Sequence, residues 1–388
     1  MKNKANIIIT TSIVLVTIII IYSSGILFRG IDLRRKDLNF EKALVLKVFS
    51  ETLNKDRTIP NMYLGHQDIQ VKILTGEFKG EIHTLKNSLG RTYNVHTREN
   101  MEIVVSIYSH DGVIESIMVY SHSRSKTIYF LVGLFFIVLL AVGRIKGLKS
   151  IFSLIFTGIM IIFFLIPWIL KGYNPILIAI ITASLSTIVT FYMATGWSKK
   201  TLAASTGTVL GVTIAGSISY WAGRIAQLSG MTMDKAEQLI YIADDTGMQV
   251  GGLMFAAILI ASLGAIMDVA MSITSSVFEI HGVKKNLSRK ALFKSAMNVG
   301  QDIIGTMTNT LILAFTGGLL NMLIIVMAYR MPYVQFINLD LFAIEFIQGL
   351  AGSIGIVLTV PLTALAASWL AKEFIIKNNK PGKVKATR

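Results

Sequence analysis

Two aspartates stand in stretches where charge is rare. Asp268 lies in SLGAIMDVAMSITSS (residues 262–276) and Asp302 in NVGQDIIGTMTNTLILAF (298–315), both otherwise built of apolar, small or neutral polar residues. At helical spacing each aspartate belongs to a polar stripe: Asp268, Ser272, Ser275 and Glu279 on one segment, Asn298, Asp302, Thr306 and Asn309 on the next. A carboxylate withdrawn from bulk water favours its neutral form or a bound cation. Two such stripes entering a bilayer from the same side are therefore the groups a cation or proton site needs. A second reading stands beside this one. Residues 246–267 are long enough to span alone, which leaves Asp268 at the interface. Asp302 then occupies a first helical turn, where negative charge is favoured. On that reading Lys284, Lys285, Arg289, Lys290 and Lys294, between the two segments, serve to neutralise both.

Other residues invite weaker chemistry. Ala203, Gly207, Gly211, Ala215, Ser219 and Gly223 recur every fourth position and form a stripe of small residues, suited to close helix packing or to one helix sliding on another. Glu237, Asp244 and Asp245 precede the Asp268 segment and read as a solvated loop or an acidic vestibule. Glu345 precedes the last apolar run, which Gly352, Gly355 and Pro361 interrupt, permitting a kink or break. Five of the six histidines (His66, His83, His96, His110, His122) share one polar region, at intervals that match no metal-ligand spacing. The metal question stays open on spacing alone. The chain has no cysteine, no G-x-x-x-x-G-K-[ST], no H-E-x-x-H and no G-x-S-x-G. No catalytic residue, enzyme activity or cofactor is expected, and any transport is gradient-coupled, passive or driven by a partner's ATPase.

The elements that must hold these residues are apolar helices. Hydrophobic residues make up 53% of the 388, charged ones 15%, and mean hydropathy is +0.62, so length goes into membrane spans. Uncharged runs cover 5–28, 127–143, 150–170, 172–198, 201–223, 246–267, 303–329 and 346–371. Each can cross about 30 Å of hydrocarbon, the second only barely. The reading is a polytopic α-helical membrane protein of about eight transmembrane helices. The first run has no cleavage pattern and reads as an uncleaved anchor.

Net charge is +15, but the basic residues flank apolar runs rather than forming one face, which argues against nucleic acid. Their distribution sets topology instead. Lys2, Lys4, Arg144, Lys146, Lys149, Lys199, Lys200, the five of the hairpin loop and six from Lys372 to Arg388 make eighteen on one side. Lys171, Arg224, Lys235 and Arg330 make four on the other. Both termini are expected in the cytoplasm, at the cell membrane, with the polar region outside.

That region, 29–126, carries short alternating segments at 43–49, 69–74, 80–85, 101–108 and 113–120, separated by turns such as Thr75-Gly76 and His110-Asp111-Gly112. Five strands in under a hundred residues suggest a small β-rich barrel, OB-like or of another small kind. The expected organisation is an anchor at 1–28, an extracytoplasmic domain at 29–126, a seven-helix domain at 127–374 and a basic tail at 375–388.

The two aspartate motifs, together with IGIVLTVPLTA (354–364), resemble the YibE/F-like family of bacterial multi-pass membrane proteins, over about 130–370. The resemblance implies an integral membrane protein of uncharacterised activity and supplies no site residues. A permease or secondary transporter is the leading expectation, with the aspartate hairpin as its site. The alternatives are a non-transporting subunit or scaffold of an envelope complex and, behind it, a sensory receptor. The partners expected are the lipid bilayer and a second copy or another envelope protein.

Overall fold

The computed structural model describes residues 2–28, 37–228 and 236–378. Lys235 and the part of the basic tail from 379 onward lie outside the described residues. The chain divides into two compact units, residues 32–139 and residues 1–31 with 140–388.

The first unit is a strand domain. β1 (Leu38–Lys55), β2 (Tyr63–Ile73), β3 (Ile82–Leu89), β4 (Glu102–His110) and β5 (Val113–His122) form one antiparallel sheet in the order β3-β2-β1-β4-β5. β1 pairs with β4 through its first half and with β2 through the rest, with bulges at Val45/Lys47 and Val48/Ser50. Bulges bend and twist a strand, and here they curl the sheet until β3 and β5 approach one another. The result is a half-barrel with the strand order of a partly open five-stranded Greek-key barrel. The expected strands are all present. β1 and β2 run longer than their apolar cores because ETLNK and YLGHQD pair along the ladder without alternating in hydrophobicity.

Period-two alternation supplies the interior: Val45, Ile69, Val71, Ile73, Ile103, Val105 and Ile107 are fully buried. Gln67 continues the β2 row and is also fully buried. Its Oε1 accepts from the Thr97 N–H, the Thr97 hydroxyl and Asn87 Nδ2, while its Nε2 donates to the Thr97 carbonyl at 3.0 Å and to Glu51. Every polar atom of the amide is thus partnered, as a buried amide requires. At the turn after β1, Asp56 accepts from the N–H groups of Thr58 and Ile59, and Arg91 Nε donates to it at 2.6 Å. That hydrogen bond holds the Asp56 carboxyl below its ordinary value. A depressed carboxylate stabilises the fold above its unfolded pKa, and the contribution disappears as pH falls through the folded one. We expect Arg91→Gln to move the Asp56 midpoint upward, toward its ordinary value, in a carboxyl-carbon NMR titration, with no change in neighbouring groups.

The second unit is helical. α1 (Lys2–Phe28) packs Ile13 and Ile20 against Phe156, Met160 and Val189. α2 (Ser125–Ile159) begins in the first unit, belongs to the helical one from Leu140 onward, and continues through a π-helical turn (Met160–Leu165) into α3 (Ile166–Leu170). This stretch is 46 residues long, and its backbone leaves helical geometry at Arg144, at φ 49° and ψ −129°. α4 (Pro175–Thr195), α5 (Lys199–Ile225), α6 (Ala236–Thr246), α7 (Leu253–Val283) and α8 (Arg289–Gly318) follow. Asn174, Ser198 and Ser288 cap the N-termini of α4, α5 and α8 with their side-chain oxygens. α9 (Leu320–Ala328) leaves α8 at a 60° bend, so the run 303–329 is broken after Gly317 and Gly318. α10 (Tyr333–Ile337) is one turn, and α11 (Asp340–Asn378) runs unbroken through Pro361.

Among the described residues six helices are long and apolar enough to cross a membrane, or seven if α8 and α9 make one bent span. The core is shared by α4, α5, α7, α8 and α11: Ala203, Val212, Ile266, Ile273, Leu292, Ala296, Ile356 and Val360 are buried in it. The outward faces carry exposed Leu177, Leu210, Trp221, Leu313, Leu358 and Trp369. A helical unit apolar both inside and out is a membrane protein.

Candidate functional site

Asp268 sits at the middle of α7, not at its end, because the helix continues fifteen residues beyond it. Asp302 likewise lies more than three turns inside α8, so neither aspartate occupies a first or last turn. α7 packs through Ile266, Val269, Ala270, Ile273 and Val277. Asp268, Ser272 and Glu279 lie exposed on the opposite side, with Ser275 half-buried beside them. α8 packs through Leu292, Ala296, Gly300 and Leu311, where a Cβ at Gly300 would press on Val360 and meet Ile273 at 3.4 Å. Asn298, Asp302, Thr306 and Asn309 are exposed on its other side.

The stripes are real faces of their helices, and among the described residues they lie on the outward sides of the packed helices rather than around the shared cavity expected between them. The reason is packing. Small and apolar residues let α7, α8 and α11 approach closely, and they take the inner faces, leaving the polar residues outside. Among the described residues no basic group lies within 4 Å of either carboxylate, so the hairpin-loop lysines do not pair with them.

A cleft of about 650 Å³ opens elsewhere, between α2, α4 and α7. α7 lines it with Ile260, Ala261, Leu263, Gly264 and Met267, and a Cβ at Gly264 would meet nothing within 4 Å. Asp268 follows Gly264 by one helical turn on the same face, which sets it next to the lining. Opposite, α2 contributes Lys146, Lys149, Ser150, Ser153 and Thr157, and the π-helical turn adds Ile161. These recur at helical spacing along one face. The signal was in the sequence as a run of polar residues at i, i+3, i+4, i+7 and i+11, hidden at the start of an apolar segment.

The α5 stripe has a partner. A Cβ at Gly207 would fall on the Thr363 hydroxyl and one at Gly211 on the Thr359 hydroxyl, while a Cβ at Gly355 would lie 2.7 Å from that of Ala215. Ala203, Gly207, Gly211, Ala215, Ser219 and Gly223 are all buried, and the stripe is a contact face, against α11 at Gly207, Gly211 and Ala215 and against Phe255 and Met254 of α7 at Gly223. The glycines of α11 likewise admit neighbours: a Cβ at Gly352 would lie 2.9 Å from Leu311. They do not break the helix, and the broken span is α8–α9 instead. Ser205, Thr208 and Ser219 of α5, Thr274 of α7 and Ser353 and Thr363 of α11 are buried hydroxyls with no hydrogen-bond partner among the described residues, a feature that the sequence alone did not flag.

Asp244 and Asp245 are exposed on α6 and Glu345 is half-buried on α11. Of the strand-domain histidines, His83 contacts Glu81 at 2.8 Å and His96 contacts Glu51 at 3.6 Å. Among the described residues no three His, Asp or Glu side chains are grouped to hold a metal ion.

No curated protein and no solved structure matches the chain. The family described as YibE/F-like protein matches residues 131–373. That match covers more than half of the chain and the motifs around both aspartates, α8 and α11, and on it the protein belongs to the YibE/F-like family.

Proposed function

We propose that the chain is a permease or secondary transporter of the cytoplasmic membrane, with both termini inside and the strand domain outside. Eighteen basic residues on one set of loops against four on the other support the orientation. Counting the α2–α3 stretch as two crossings, divided at Arg144, and α8–α9 as one bent crossing gives eight. One observation carries the transport reading: an open cleft in the helical unit, with the mid-helix carboxylate of Asp268 one turn from its lining. A carboxylate so placed can take up a proton or cation from the side on which the cleft opens and release it as its surroundings change.

The experiment is flux into proteoliposomes of the purified protein, read with a pH-sensitive dye under imposed sodium, potassium and proton gradients. Asp268→Asn is expected to cut flux at least tenfold with insertion unchanged. Asp302→Asn tests whether the α8 stripe takes part. Normal flux in both variants removes the aspartates from the mechanism.

A second reading has its own observation. Asn298, Asp302, Thr306 and Asn309 present hydrogen-bonding groups outward, and Gly305 on that side has open space at its Cβ. Such a face suits another helix in the bilayer, from a second copy or an envelope protein. If the wild-type protein moves no ion, and cysteines placed at Gly305 cross-link in membranes, the subunit or scaffold reading replaces the transporter.

A further inference from the structure

We propose that the cleft between α2, α4 and α7 binds an anionic phospholipid, with the phosphate at Lys146 and Lys149 and an acyl chain along Leu154, Ile161 and Leu263. Its volume of about 650 Å³ falls in the range of pockets that enclose small ligands. The chemistry of its wall changes along one helix face: two lysines, then Ser150, Ser153 and Thr157, then apolar side chains. An amphiphile with a negative head has that same order of charge, polar linkage and hydrocarbon.

The lysines are free to act. Among the described residues neither has a carboxylate within 4 Å, and the lining contains no acidic residue. Two ammonium groups at one end of the lining favour an anionic headgroup there. The apolar wall beyond the hydroxyls offers nothing to a fully hydrated anion. The charge distribution puts the lysine end at the inner surface, where basic pockets between helices recognise anionic headgroups. The site does not depend on the transport reading, because a lipid held there serves a permease or a structural subunit alike.

The test measures binding of phosphatidylglycerol against phosphatidylcholine to the full-length protein, by native mass spectrometry from detergent and by a fluorescent lipid in vesicles of each composition. The wild type is expected to retain phosphatidylglycerol selectively. Lys146→Gln with Lys149→Gln should lower that selectivity about thirtyfold, from about 1 kcal/mol per basic residue near an anionic surface. Gly264→Phe keeps both lysines and fills the open space at that position, so it should abolish retention while leaving the size-exclusion profile unchanged. Equal retention of both lipids by the wild type overturns the proposal. So does full retention in Gly264→Phe, which would show that the lysines act only as surface charge. Displacement of the lipid by glycerol phosphate at equal concentration would mean a free-anion site and would also overturn it.

Discussion

Gly211→Leu prevents assembly of the helical unit, whereas Gly264→Leu, the same change on a helix packed against it, leaves assembly intact. The contrast follows from what each position faces. At Gly211 the first atom of any side chain coincides with the Thr359 hydroxyl, and Ile266 stands at 3.1 Å on another side. Thr359 is fully buried and its hydroxyl donates to the Gly355 carbonyl at 2.7 Å, so it cannot swing aside without losing that bond. No leucine rotamer relieves a clash at Cβ, and α5 and α11 must separate along their length. Overpacking of an ordinary core costs about 1–3 kcal/mol, and a clash at Cβ against buried α11 belongs at or above the top of that range. At Gly264 the Cβ enters open cleft, and replacing a mid-helix glycine removes a penalty of about 1 kcal/mol. The measurement is the monodisperse fraction after membrane extraction, with thermal unfolding of whatever survives. Equal yields from the two variants would mean that α5 does not pack on α11 as described.

Gln67→Leu opens the strand domain. Leucine is close in size, so the row Gln67, Ile69, Val71 and Ile73 remains filled, but the amide oxygen that served three donors is gone. The Thr97 N–H and hydroxyl, each bonded to that oxygen at 3.0 and 2.9 Å, are left buried without a partner, while Asn87 keeps its bond to the Val95 carbonyl. Each orphaned donor costs about 1–3 kcal/mol. Together they take a large part of the stability of a domain this small. Hydrogen exchange of the β1, β2 and β4 amides in the full-length protein should accelerate by about a hundredfold or more, with exchange in α5 and α7 unchanged. A Glu51→Gln variant, in which an acceptor oxygen still faces Gln67, should exchange like the wild type. Unchanged exchange in Gln67→Leu would mean that the Thr97 loop finds other partners and that the network does not hold the domain closed.

The two substitutions also mark how far the sequence could be read. Gly211 was visible as one member of a small-residue stripe, because helical periodicity alone puts residues four apart on one face. Thr359 and Thr363 as its neighbours were not visible, since they lie some 150 residues later and nothing local joins them. Gln67 was the reverse case. It lies ahead of the segment 69–74 that alternation marks as a strand, so nothing local assigns it to the interior, and only the loop carrying Thr97, folded over the end of β2, gives it a place inside.

The aspartate hairpin shows the same division. Local patterns were enough to place two helices across residues 261–315 with a polar stripe around each aspartate, to make the chain a membrane protein, and to put a five-stranded domain ahead of its seven-helix part. Those conclusions rest on composition, on hydropathy and on the periods of helix and strand, which are local properties of the chain. Which way each stripe faces was decided by tertiary structure. Gly300 and Ala296 admit α11 and α7 so closely that the inner side of α8 is taken, and Asp302 is left outside. The cleft beside Asp268 was decided in the same way, because its walls come from three helices and its empty space from Gly264, a residue that no pattern singled out. Periodicity says which side chains share a face. Only the packing of distant helices says what that face meets.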